Sequence, residues 1–154
     1  MSTQTVYVTG IARWPRVYQE DMDTGFNNER FHITVCPDAE SSVMLRASGS
    51  RVKAKEDEEG TWYKFSRDNR KTFTRKGIPE EELLGPPKVI IQDGNNTDGS
   101  PKYVPFNEKI GNGSTVTVKL SVYDTKQYGK GTRLEKVLVL NHVPYEGRTN
   151  EEPF

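Results

Sequence analysis

Cysteine is nearly missing from this chain: Cys36 is the only one in 154 residues. No disulfide can form within the chain, and the fold needs no oxidising compartment. Histidine is almost as scarce, with His32 four residues before Cys36 and His142 remote from both. That is too few ligands, at the wrong spacing, for a zinc site, so neither a metal nor any other cofactor is expected. Nowhere do eighteen apolar residues run together, and Met1 to Thr5 lacks the basic start and apolar stretch of a signal peptide. These absences predict a soluble, unprocessed protein of the reducing cytoplasm with no membrane segment. A charge excess is missing too, since 22 Lys plus Arg face 22 Asp plus Glu. Net charge therefore announces no polyanionic partner; only an uneven distribution can.

Catalytic patterns are absent as well. Glu80, Glu81 and Glu82 are adjacent rather than convergent, and no nucleophile elbow or nuclease-like Asp/Glu pair with a nearby lysine occurs. The glycines of Ile110 to Ser114 precede a strand instead of a helix, so they read as a turn and not as a phosphate cradle. An enzyme is not expected.

What the chain does contain is β-forming residues with glycine and proline punctuation, at 32% hydrophobic and 29% charged. One small β-rich domain with a thin core is implied. Thr5 to Gln19 reads as a strand with a bend at Gly10, and Phe26 to Cys36 resumes alternation to close a hairpin with it. Asp38 is placed to cap a short helix over Ala39 to Ala47. Proline at position 79, acids after it and Gly85 suggest a helical turn or two. Val89 to Gln92 is a short strand before the polar loop Asp93 to Pro101. Strict alternation of Val116, Val118, Leu120 and Val122, a turn at Asp124 to Gly131, and apolar Leu134 to Val143 make a long hairpin. About five mainly antiparallel strands with one short helix and long loops fit a Greek-key OB barrel over residues 1–144, followed by a mobile, mildly acidic tail at 145–154.

The uneven distribution of charge lies in Thr61 to Lys76. Four aromatics (Trp62, Tyr63, Phe65, Phe73) interleave there with six basic residues against the single acid Asp68. Rings offer faces for unpaired bases and cations neutralise phosphates, so this composition suits a single-stranded nucleic acid; an ordinary strand with its rings in the core is the other reading. With Tyr63 and Phe65 inward, Trp62 and Lys64 point outward, and Tyr123 faces away from Val122. The candidates for contact are Trp62, Lys64, Arg67, Arg70, Lys71 and Tyr123, with Lys126, Tyr128 and Lys130 at the tip of the long hairpin. Arg13 and Trp14 repeat the theme; the arginine is the phosphate contact and the tryptophan reads as a half-buried anchor or a second stacking ring. The competing function is an OB-type module that binds protein or saccharide, which would carry aromatics without a matching basic surface.

At these residues the sequence resembles a known family, the single-stranded DNA-binding proteins that serve T7-like bacteriophages in replication. The resemblance rests on Tyr63-Lys64-Phe65 with the basic residues after it, on Pro87-Lys88-Val89, and on Ile110 to Val116. It continues through Val118 to Tyr123, Gly129-Lys130-Gly131 and the terminal Phe154. It implies an OB fold and non-specific binding of single-stranded DNA in phage replication, recombination and repair, inside the infected bacterial host. It also implies a carboxyl tail, here Glu151, Glu152 and Phe154, that engages a phage DNA polymerase or helicase-primase. The expected assembly is a monomer or weak dimer. Two departures stand out: the tail is shorter and less acidic than such tails are, and the segment after Cys36 is a weak helix former.

Overall fold

The computed structural model describes residues 3–18, 22, 24, 29–58, 60–125 and 129–143. The hairpin tip carrying Lys126 and Tyr128, and the tail with Glu151, Glu152 and Phe154, lie outside the described residues. Alternation built the strands where the sequence is most regular. β1 (Thr3–Arg16) sends Val6 and Val8 inward, and β9 (Thr115–Thr125) does the same with Val116, Val118, Leu120 and Val122. β10 (Gly129–Asn141) adds Leu134, Val137 and Val139, while β2 (Arg30–Pro37) adds Ile33 and Val35. Every second residue of a strand faces the same side, so these sets meet in one core with Phe65, Phe106 and Ile110.

One mixed sheet of eight strands carries the fold, in the order β3-β4-β2-β1-β9-β10-β7-β8. Its remaining members are β3 (Ala54–Asp57), β4 (Gly60–Asp68), β7 (Lys88–Asn95) and β8 (Pro101–Pro105). All pairings are antiparallel except β10 with β7. Among the described residues there are thus more strands than the five expected, in part because the two short edge strands, β3 and β8, carry no long alternation. β1 serves both halves of the sheet, pairing with β9 over Thr3 to Ile11 and with β2 from Gly10 onward. Gly10 sits at the changeover, where any Cβ would collide with the backbone of Cys36 and Pro37. Only glycine permits that approach.

The expected helix is α1 (Ala39–Ala47), capped by Asp38, whose carboxylate accepts from Ser41 N at 2.8 Å. It is fixed to β1 by Ser41 Oγ, which accepts from Thr9 N at 2.9 Å. The helical turn expected after residue 79 is not there. Ile78–Leu83 forms β6 instead, paired with β5 (Arg70–Arg75) as a separate two-stranded ribbon. Pro79 and three glutamates resemble a helix start, but the segment pairs residue for residue with β5 instead, Glu82 falling opposite Lys71. Among the described residues no helix is long and apolar enough to cross a membrane.

Candidate nucleic-acid interface

β4 organises the site, because its two faces have separate tasks. Phe65 and the half-buried Tyr63 point into the core side, their rings stacked 6.1 Å apart at 8°. Trp62, Lys64 and Ser66 occupy the opposite row. At one end of this row a concavity of about 350 Å³ is lined by Arg13, Trp14, His32, Thr34, Lys53, Lys55, Trp62 and Lys64. The strand register explains the grouping: Lys64 lies opposite Thr34, and Lys55 of the edge strand opposite Trp62.

Trp62 and Trp14 exchange the exposures expected of them. Trp62 is on the outward row and outside the main core cluster, yet only 5% of it reaches solvent. The Arg13 guanidinium lies 3.7 Å from its ring centroid, and its indole Nε1 donates to Asp57 Oδ1 at 3.0 Å. Trp14, read as a half-buried anchor or a second stacking ring, is 58% exposed, its ring centroid 4.3 Å from the same guanidinium. Arg13 also pairs with Asp57 Oδ2 at 2.9 Å. One guanidinium is therefore in contact with both indoles, of which Trp62 is covered and Trp14 is open. The Trp14 backbone has φ 53°, a left-handed conformation that a bulky side chain rarely adopts. It is held there by Trp14 N donating to Asn112 Oδ1 at 2.7 Å. Strain retained at one position of a concave surface is a mark of a functional site.

At the other end of β4 a wider trough of about 660 Å³ is bounded by Ser66, Arg67, Asp68, Arg70, Tyr123, Thr132, Arg133 and Glu135. Tyr123 lies flat on Gly131, where a Cβ would sit within 3 Å of its ring, and Arg133 approaches that ring at 5.6 Å. Arg70 is half exposed, with Nε 3.2 Å from Glu29 Oε1. Glu29 itself is held below the ordinary carboxylate range, first by the hydrogen bond from Asn69 Nδ2 and then by Arg70. Arg67 is different in kind. Its guanidinium donates to Gly85 O at 2.9 Å, Leu84 O at 3.1 Å and Glu135 Oε1 at 2.7 Å. Such a group, already shared among two loop carbonyls and a carboxylate, fastens β4 to β10 and has little left for a ligand.

The basic stretch is also less basic than its sequence. Lys71 lies opposite Glu82 and Arg75 opposite Ile78, with Glu80 and Glu81 on the same facing strand. Three acids, Glu80 to Glu82, thus follow the stretch immediately in the chain and bring its net charge from 6 − 1 = +5 to 5 − 3 = +2. Lys71 and Lys130 have a backbone place in β5 and β10, and Lys126 and Tyr128 fall outside the described residues. Lys53, Lys55, Thr34, His32 and Arg133 were not singled out by sequence. Lys53 and Lys55 sit in a segment without period, and only the pairing of β3 onto β4 brings them to the site. Among the described residues no group of three His, Cys, Asp or Glu is placed to hold a metal.

Compared by sequence, the chain matches no family model and no curated protein. Solved structures do match it. gp2.5, a single-stranded DNA-binding protein encoded by bacteriophage T7, superposes with a TM-score of 0.56 at 17% identity, covering 99% of this chain and 98% of that one. The single-stranded DNA-binding protein of bacteriophage Enc34, solved in complex with ssDNA, gives a TM-score of 0.52 at 15% identity over 94% and 89%. The fold is therefore that of these phage proteins.

Proposed function

We propose that the chain binds single-stranded DNA without base specificity in phage replication and recombination, with no catalysis and no cofactor. The strand would lie along the outward row of β4, from the Trp14–Arg13 stack to the trough at Tyr123 and Arg133. The observation that carries this reading is the open indole of Trp14 on a guanidinium, in a concavity whose other charged residues, Lys53, Lys55 and Lys64, are all cationic. A base gains roughly 1–3 kcal/mol by stacking on such a ring, and duplex DNA cannot because its base faces are hidden. The cations supply the salt-dependent share. The likeness to two phage proteins named for the same ligand supports the assignment.

β9 lies beside β1, and β1, β2 and β4 follow one another in the sheet, which is Greek-key connectivity. We take β4-β2-β1-β9-β10 as a five-stranded OB barrel closed where Arg67 joins β4 to β10. Arg67 is then a fastener of the barrel, and Trp14, Arg13, Lys64, Arg70 and Tyr123 carry contact. Glu151, Glu152 and Phe154 would engage a polymerase or helicase-primase, from a monomer or weak dimer in the host cytoplasm.

The chain's two tryptophans both line the concavity, so intrinsic fluorescence reports directly on it. Titration with oligo-dT should quench the emission saturably. Unchanged emission together with no complex in a mobility assay would favour a protein- or saccharide-binding module instead.

A further inference from the structure

On the sheet face beyond the trough, one cross-strand row holds three lysines. Tyr7 of β1 is opposite Lys119 of β9, Lys119 is opposite Lys136 of β10, and Lys136 is opposite Lys88 of β7. The next residues inward, Val8, Val118, Val137 and Val89, are all buried, which puts the four side chains on the outer face. Like charges placed directly opposite each other destabilise a sheet, so a row of three demands a reason. None has an ion-pair partner among the described residues. The one carboxylate of the surrounding concavity, about 370 Å³, is Glu135, and it is occupied on both oxygens: Oε1 by Arg67 Nη1 at 2.7 Å and Oε2 by Ser121 Oγ at 2.6 Å. The row also has an aromatic end, since Tyr7 is 54% exposed.

This surface is continuous with the trough. Arg67, Leu84, Ser121 and Glu135 form the wall common to both. Four strands at about 4.8 Å spacing make the row roughly 14 Å long, enough to follow a phosphodiester backbone over a few linkages. We propose that Lys88, Lys119 and Lys136 form a second phosphate-binding surface that receives the single strand after it leaves the β4 trough, with Tyr7 as a stacking platform at its edge. The inference rests on the single-stranded DNA reading above and extends it to a strand that turns around the molecule. Long and short oligonucleotides should therefore differ in more than statistics.

The test compares the native protein with Lys88→Gln/Lys119→Gln/Lys136→Gln on oligo-dT of about 8 and about 16 nucleotides, within the range that OB folds occupy. The triple variant should bind the short oligonucleotide as the native protein does, and the long one on the order of tenfold more weakly at low salt. Its salt slope on the long oligonucleotide should be shallower by between about two and three units, near one per lost phosphate contact. Its melting temperature should rise, because the repulsion is gone. Lys136→Gln alone, at the centre of the row, should lower that slope by about one unit and serves if the triple variant does not fold. Equal loss on both lengths, or no loss on either, overturns the second surface while leaving the β4 trough intact. A native protein that binds neither length overturns both.

Discussion

Arg67→Ala should lower the unfolding free energy by ~3 kcal/mol and leave the salt dependence of DNA binding unchanged. The guanidinium is 13% exposed and the Glu135 side chain 25%. Removing one partner of a well-buried pair costs about 3–5 kcal/mol, and partial exposure places this case near the lower end. The carbonyls of Leu84 and Gly85 lose their donor at the same time, and Glu135 keeps only Ser121. For a chain of this size, roughly 2–4 °C are lost per kcal/mol, so thermal denaturation should shift down by about 6–12 °C. Arg67→Lys should recover little of it, because one ammonium cannot reach two carbonyls and a carboxylate in the same plane. A variant that melts normally but has lost one unit of salt slope would make Arg67 a phosphate contact.

Trp14→Gly should do the opposite, weakening DNA binding without weakening the fold. The ring is more than half exposed, so little burial is lost. The backbone φ of 53° suits glycine and strains tryptophan. Affinity for oligo-dT should fall by about 1–3 kcal/mol, or roughly 5- to 150-fold, at unchanged salt slope, since a ring and not a charge is removed. Calorimetric unfolding should show an equal or higher melting temperature. Native affinity in a folded Trp14→Gly protein would exclude stacking on this ring.

The sequence displayed its long strands and hid its short ones for a physical reason. Alternation over Val116 to Val122 reports burial on one face, so it could be read without a structure, whereas Gly10, which reads as a bend, proves to be a close approach to Cys36 and Pro37. β3 and β8 bury few apolar side chains and leave no period to detect. The ribbon of β5 and β6 resembles a helix start in sequence because Pro79 and Glu80 to Glu82 satisfy helix-start chemistry, while the strand they pair with lies just upstream in Arg70 to Arg75. Counting charge over a window that ended at Lys76 cut that hairpin at its turn and left its acids out of the sum. Trp14 and Trp62 exchange exposures because β1 breaks register after Arg13: Trp14, which would follow Val8 and Ala12 inward, turns out to solvent at the break, while Arg13, in register opposite Thr34, lies over Trp62. Periodicity assumes an unbroken strand. Arg67 shows the other limit: a cation in a basic run looks like its neighbours until the carbonyls that hold it are placed.

The central claim, a surface that selects unpaired strands through rings and cations together, is tested most directly by measuring affinity for oligo-dT and for a duplex of equal length across a salt series. With ~4–6 phosphates neutralised along β4, log affinity for a strand of about 8 nucleotides should fall against log salt with a slope of about −3 to −4. Stacking should keep the single strand ahead of the duplex at every salt concentration. Equal affinity for the duplex, or an affinity indifferent to salt, would contradict it.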